Sequence, residues 1–184
     1  MNRAVFLDRD GVINEDPPHY AHRIDQLSII PGVTQAISKL KEAGYLVIVI
    51  SNQSGIARGM YTHREVKKFN LAIELIINEK NGTIDKFYYC PHHPHGIIKK
   101  YSINCDCRKP KIGMIKEAVN EFSIDIKQSY LIGDKYSDII AGINAGCTSY
   151  LVLTGHGLDE RQKCKEISTF CFENLFEAVI KGIL

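Results

Sequence analysis

A chain of 184 residues, 45% hydrophobic and 24% charged, has the ordinary make-up of a globular protein, and its length predicts one domain with a full core over residues 1–184. A net charge of +2 excludes the basic field that nucleic-acid binding needs, and the longest apolar run in its strand-like segments, Tyr45 to Ile50, is far short of a membrane span. Six cysteines without the apolar core of a secretory leader point to a reducing compartment, the cytoplasm, where thiols bind metal more often than they pair.

The first element is a short apolar run, Ala4–Leu7, that reads as a buried strand and ends in Asp8-Arg9-Asp10-Gly11. Residues i and i+2 point the same way in extended backbone, so the carboxylates of Asp8 and Asp10 are expected at one spot. Two anions that close raise a pKa unless a cation or proton shares the site. They point to a divalent metal or to an acid/base division of labour; a polar turn with two aspartates would look the same in isolation. Val33, Ile37 and Leu40 then mark an amphipathic helix, with Gly44 where a C′ residue belongs. A second strand, Leu46–Ile50, runs into Ser51-Asn52-Gln53-Ser54-Gly55. The helix that follows carries Val66, Phe69, Ile73 and Ile76 on one face, and Thr62 with Glu65 forms its capping box. A third strand, Phe87–Cys90, opens a loop rich in cysteine and histidine that ends in Arg108-Lys109-Pro110. Ile115, Val119 and Phe122 mark the next helix. Tyr130–Ile132 is a fourth strand, ending in Gly133-Asp134-Lys135, with Asp138 one turn into a helix that starts at Ile139 and Ile143 and stops at Gly146. Tyr150–Leu153 is a fifth strand, and Phe172 to Ile183 a closing helix.

Short, almost wholly apolar strands alternating with amphipathic helices imply a mostly parallel sheet covered on both faces: an α/β, doubly wound, Rossmann-like three-layer sandwich. Such sheets bind ligands outside the carboxyl ends of their strands, which gathers Asp8, Asp10, Ser51, Lys109 and Asp134 into one site. No long insertion offers a large cap domain. In the loop, Cys90-x-His92 and Cys105-x-Cys107, twelve residues apart, supply a Cys₃His set suited to structural zinc. Their one-residue spacing is tighter than usual, His93 and His95 compete for the imidazole position, and a surface loop with incidental cysteines is the plain alternative. Cys147, Cys164 and Cys171 read as small buried hydrophobes.

Asp8-Arg9-Asp10-Gly11, Ser51, Lys109 and Gly133-Asp134-Lys135-Tyr136-Ser137-Asp138 together resemble the motifs of the haloacid dehalogenase superfamily over essentially the whole chain. Asn52-Gln53-Ser54-Gly55-Ile56-Ala57-Arg58-Gly59, Cys90-Pro91-His92-His93-Pro94 and Cys105-Asp106-Cys107-Arg108-Lys109-Pro110 resemble one family within it, the D-glycero-D-manno-heptose 1,7-bisphosphate 7-phosphatases; the related histidinol-phosphate phosphatases share the zinc-loop design.

The resemblance implies a Mg²⁺-dependent phosphomonoester hydrolase of ADP- or GDP-heptose synthesis for cell-surface polysaccharide. Asp8 would be the nucleophile, Asp10 the general acid and base, and Ser51 and Lys109 the groups that stabilise the phosphoryl charge. Mg²⁺ would be held by the Asp8 and Asp134 carboxylates and the Asp10 backbone carbonyl, and structural Zn²⁺ by Cys90, His92, Cys105 and Cys107. Substrate contacts are implied at Asp16, Tyr20, Ser51, Asn52, Gln53, Ser54, Arg108, Lys109 and Lys135. The stretch Pro17-Pro18-His19 is one residue longer than the family pattern, which bears on Asp16 and Tyr20. Arg58 fits its own loop or the substrate equally, and His22, His63 and His156 are expected to be solvated or satisfied locally. The implied partner is a small phosphorylated sugar, with no nucleic acid or membrane, and the chain is expected to be a monomer. A histidinol-phosphate phosphatase and a non-catalytic, zinc-stabilised phosphate-binding module are the alternatives; a module has no need of the acid at Asp10.

Overall fold

Strand β1 (Ala4–Leu7) sends Val5 and Leu7 to one face of a sheet and Ala4 and Phe6 to the other, and all four are fully buried. A strand buried on both faces needs helices on both sides. The computed structural model, which describes residues 1–17, 20–167 and 169–184, has them. β2 (Leu46–Asn52), β3 (Lys86–Cys90), β4 (Tyr130–Gly133), β5 (Thr148–Val152) and β6 (Phe170–Phe172) join β1 in a parallel sheet of six strands, ordered β3-β2-β1-β4-β5-β6. The chain thus winds outward from β1, crosses back to β4 and winds out the other way, leaving a crevice at the β1/β4 switch point.

On the Val5/Leu7 face lie α1 (Val33–Glu42), α2 (His63–Asn78) and α6 (Leu175–Glu177), which continues as a π-helical turn over Ala178–Ile183. On the other lie α3 (Gly113–Phe122), α4 (Tyr136–Ala145) and α5 (Gly157–Lys165). Among the described residues, no helix is long and apolar enough to cross a membrane. The Thr62/Glu65 capping box forms as expected, and Gly44 and Gly146 adopt positive φ at the ends of α1 and α4.

Four details differ from the sequence expectation. The buried row of α2 is Val66, Phe69, Ile73 and Ile77, with Ile76 only half-buried, because eleven residues from Val66 is close to three whole turns. Ile143 is 47% exposed. Edge strand β6 precedes the last helix, which starts only after Asn174 caps the Glu177 amide. α5 buries only Gly157 and Cys164, too little to leave an apolar period in the sequence. Cys147 and Cys164 are buried and Cys171 is half-buried, as small apolar packing residues.

Candidate active site

At the carboxyl ends of β1, β2 and β4 the polar residues open onto a cavity of about 610 Å³. Asp8 continues the β1 register, its amide donating to Ile132 O at 3.0 Å, and is 5% exposed. Its Oδ1 accepts from the Arg9 amide at 2.8 Å and lies 2.9 Å from Lys109 Nζ. The same buried ammonium donates to Ile50 O at 2.7 Å and sits 2.8 Å from Asp138 Oδ1, so it lies between two acids while anchored on a β2 carbonyl. Burial pushes the Asp8 pKa up, but the charges of Lys109 and Lys135 more than reverse this and hold the carboxyl below its ordinary value. Burial likewise opposes the charge on Lys109, and Asp138 and Asp8 overcome it, so its pKa is raised.

Asp134 is fully buried. Its Oδ2 accepts from the His156 amide at 2.9 Å, with Lys135 Nζ 3.4 Å away, while Oδ1 has no hydrogen-bond partner among the described residues. Burial, reinforced by Asp8 and Asp138, pushes its pKa up to about 8 in spite of Lys135. Carboxylate oxygens of Asp8, Asp134 and Asp138 lie within 4.8 Å of one another. A buried acid with an open oxygen beside two more acids is the donor set of a hard divalent cation, and the residues present fit Mg²⁺. The loops after β1 and β5 help: at Gly11 and at Gly155, both with positive φ, a Cβ would run into the Asp134 carboxylate.

The Asp10 carboxylate lies outside that cluster. β1 stops at Leu7, so a turn, not strand alternation, carries Asp10 to the cavity wall. Fully buried Arg9 donates to it through Nε (3.0 Å) and Nη2 (3.1 Å), Asn14 Nδ2 at 3.0 Å and Gln53 Nε2 at 2.8 Å. The expected repulsion between the paired acids is therefore met locally: Asp8 has Lys109 and Asp10 has Arg9.

Of the residues implied as substrate contacts, Asp16, Tyr20, Ser51, Asn52, Ser54, Arg108, Lys109 and Lys135 all reach the cavity wall. Asp16 Oδ2 is 3.2 Å from both Lys135 Nζ and His156 Nε2, and Tyr20 Oη is 3.3 Å from Ser54 Oγ. The amide of Asn52 is committed to a reciprocal pair with the Lys109 backbone, both bonds 3.1 Å. Gln53 differs from expectation. It is 1% exposed and sits behind the cavity, because its amide bonds to Asp10, Ser51 and Tyr61. Pro18 and His19 of the lengthened loop lie outside the described residues.

In the loop after β3, ligand atoms of Cys90, His92, Cys105 and Cys107 converge within 4.8 Å; His92, not His93 or His95, joins the thiols. Hydrogen bonding with Cys90, aided by His92, pulls the Cys107 thiol down to about 5, and the same sharing, with burial, pushes Cys90 up. Three thiols, one of them poised to ionise, and one imidazole fit tetrahedral zinc. Arg108 Nη1 donates to His92 O at 3.2 Å, and Arg58 Nη2 is 3.3 Å from His93 Nε2, so Arg58 meets the loop after β3 and not the cavity. His63 spans the hydroxyls of Tyr89 and Tyr101 at 2.9 and 3.0 Å and braces the loop.

Arg9, Asp138 and His156 are the residues the sequence reading left without a role. For His156 a signal existed: Thr154-Gly155-His156 follows the fifth strand, where the strand-end rule applies as it does to the first four.

Residues 106–178 match the family model described as HAD-hydrolase-like. The D-glycero-beta-D-manno-heptose-1,7-bisphosphate 7-phosphatase of Haemophilus ducreyi is 43% identical over 158 residues, 85% of this chain and 86% of the relative. That of Pasteurella multocida is 41% identical over 186 residues, 100% of this chain and 99% of the relative. Among solved structures, D,D-heptose 1,7-bisphosphate phosphatase from B. bronchiseptica, complexed with magnesium and phosphate, superposes with a TM-score of 0.88 at 29% identity, covering 97% of each chain. The corresponding enzyme from Burkholderia thailandensis gives 0.72 at 28% identity, covering 98% of this chain and 97% of that one.

Proposed function

The chain belongs to the D-glycero-beta-D-manno-heptose-1,7-bisphosphate 7-phosphatase family of haloacid dehalogenase-like hydrolases, and on that premise we propose that it removes the 7-phosphate of D-glycero-D-manno-heptose 1,7-bisphosphate through an aspartyl phosphate. The observation that carries this reading is the pairing, in one cavity, of a buried anionic Asp8 on Lys109 with the open Asp134 oxygen.

In the first step an Asp8 carboxylate oxygen bonds to phosphorus as the bond to the sugar oxygen breaks. Asp10, with 15% of its side chain still open, protonates that oxygen. In the second step Asp10 takes a proton from water, which displaces the Asp8 carboxylate and releases inorganic phosphate. Lys109 holds Asp8 in place and keeps positive charge beside the transferring group, and Ser51 donates a hydrogen bond to it. Asp8 and Asp134, with the Asp10 carbonyl, would hold Mg²⁺; that ion supplies positive charge against the phosphoryl oxygens. Cys90, His92, Cys105 and Cys107 would hold Zn²⁺, which stiffens the loop that aims Arg108. Asp16, Tyr20, Ser54 and Lys135 are left to meet the sugar, and Arg108, a planar fork, to meet the second phosphate. On this reading the product feeds nucleotide-activated heptose synthesis for cell-surface polysaccharide, and the chain acts in the cytoplasm as a monomer.

The test is Mg²⁺-dependent release of one phosphate from the heptose bisphosphate, assayed beside histidinol phosphate. The expected outcome is preference for the bisphosphate and loss of turnover in Asp8→Asn. Near-wild-type turnover in Asp8→Asn would remove the nucleophile, and faster hydrolysis of histidinol phosphate would replace the substrate.

A further inference from the structure

Gln53 is 1% exposed, and every hydrogen-bonding atom of its amide is engaged. Nε2 donates to Asp10 Oδ2 and to Ser51 Oγ, both at 2.8 Å, and Oε1 accepts from the Tyr61 hydroxyl at 2.8 Å. One nitrogen thus joins the expected acid/base and the expected phosphoryl donor. Ser51 Oγ accepts there, so its single proton is left for another acceptor, and Ser51 lines the cavity.

This arrangement holds only for one orientation of the amide. Turned over, Oε1 would face Asp10 Oδ2, acceptor against acceptor, and would itself take the Ser51 proton. The Asp10 carboxylate selects the observed orientation because it only accepts, and the Tyr61 hydroxyl holds the amide there by donating to Oε1. Tyr61 is well placed for the task. It is 5% exposed, its ring stacks on His22 at 5.0 Å and meets Tyr20 edge-on at 5.9 Å, and a Cβ at Gly55 would run into that ring. Burial also keeps the phenol protonated by raising its pKa.

We propose that Tyr61 and Gln53 are positioning residues: Tyr61 locks the Gln53 amide, and the locked amide fixes Asp10 while turning the Ser51 proton toward the substrate phosphoryl group. The inference rests on the phosphatase reading and extends it to two residues that do not touch substrate.

The experiment is a double-mutant cycle with Tyr61→Phe, Gln53→Met and the double variant. kcat and KM are measured on the heptose bisphosphate and on a small aryl phosphate, and thermal unfolding is followed alongside. Tyr61→Phe is expected to lower kcat roughly tenfold, the size of one lost buried hydrogen bond, with KM nearly unchanged on both substrates. Gln53→Met is expected to lose more, and Tyr61→Phe to cost nothing further in its background. A purely structural role would lower the melting temperature and leave kcat alone, and that result overturns the proposal. Additive losses overturn it as well, since they would mean that Tyr61 does not act through Gln53. If Tyr61→Phe does not fold, Gln53→Met decides alone: unchanged kcat overturns the proposal and a kcat-specific loss upholds it. An inactive wild type removes the phosphatase reading and the relay with it; an active wild type matched by active variants removes only the relay.

Discussion

Arg108 and Lys109 are neighbours in sequence with different surroundings. Lys109 is sealed among Asp8, Asp138 and Ile50 O, whereas Arg108 commits Nη1 to His92 O and also lines the cavity. Arg108→Ala is therefore expected to raise KM for a bisphosphate by about 10- to 100-fold and to leave a small monophosphate ester nearly untouched, as for a lost charge-assisted hydrogen bond. Equal losses on both substrates would mean that Arg108 only braces the metal loop. The residues that the motifs name were readable in the sequence because their types are those the chemistry needs. Arg9 was not: its partners Asn70 and Ala21 are 61 and 12 residues away, and nothing local marks an arginine between two aspartates as turned inward. Asp138 was visible as an acid, but its ion pair with Lys109 exists only after β4 and the loop following β3 meet.

At the scale of elements, the loop between β3 and α3 has little regular structure, one short 3₁₀ turn at Lys99–Tyr101, and its order comes from the cysteine cluster and the His63 brace. About one zinc per chain is expected after purification without added metal, and the Cys105→Ser/Cys107→Ser variant should lose it together with thermal stability and activity, because ordering the loop and binding the ion are linked. Metal analysis and a melting curve check this; full zinc content in the variant defeats it. Short spacings were enough to expect three thiols and one imidazole to converge, but the choice of His92 over His93 or His95 came from the family resemblance, since it depends on how the chain turns after Cys90. Helices with a strong apolar face and a cap, α1 and α2, were legible. α5 and β6 were not, because elements that bury so little carry almost no period.

For the whole molecule, the buried acids couple stability to pH. The folded pKa of Asp134, about 8, lies above its unfolded value, so its destabilising contribution is absent below roughly pH 4 and grows as pH rises toward 8. Asp8 works in the opposite sense: its stabilising contribution is present above its unfolded pKa and fades as pH falls through its lowered folded value. Mg²⁺ competes with the proton for the Asp134 oxygen. The rise in melting temperature on adding Mg²⁺ is therefore expected to be larger at about pH 8 than at about pH 6. An equal rise at both values would show that the buried acids do not bind the ion. The sheet itself was readable, since apolar runs without alternation announce strands covered on both sides, whereas the pairing of acids with bases across it was not.

The strand order also sets a timetable for synthesis. β1 can take β2 as its partner early, but its other edge waits for β4, with Val5 pairing Tyr130. At about 5–20 residues per second, the ribosome needs roughly 6–25 s to cover that interval. During it Val5, Phe6 and Leu7 line an open hydrophobic edge, of the kind that recruits chaperones or foreign strands. The strand that delivers Asp8 is thus begun first and completed late, and a nascent chain halted before β4 holds Asp8 without Asp134 beside it and with one edge of β1 unpaired.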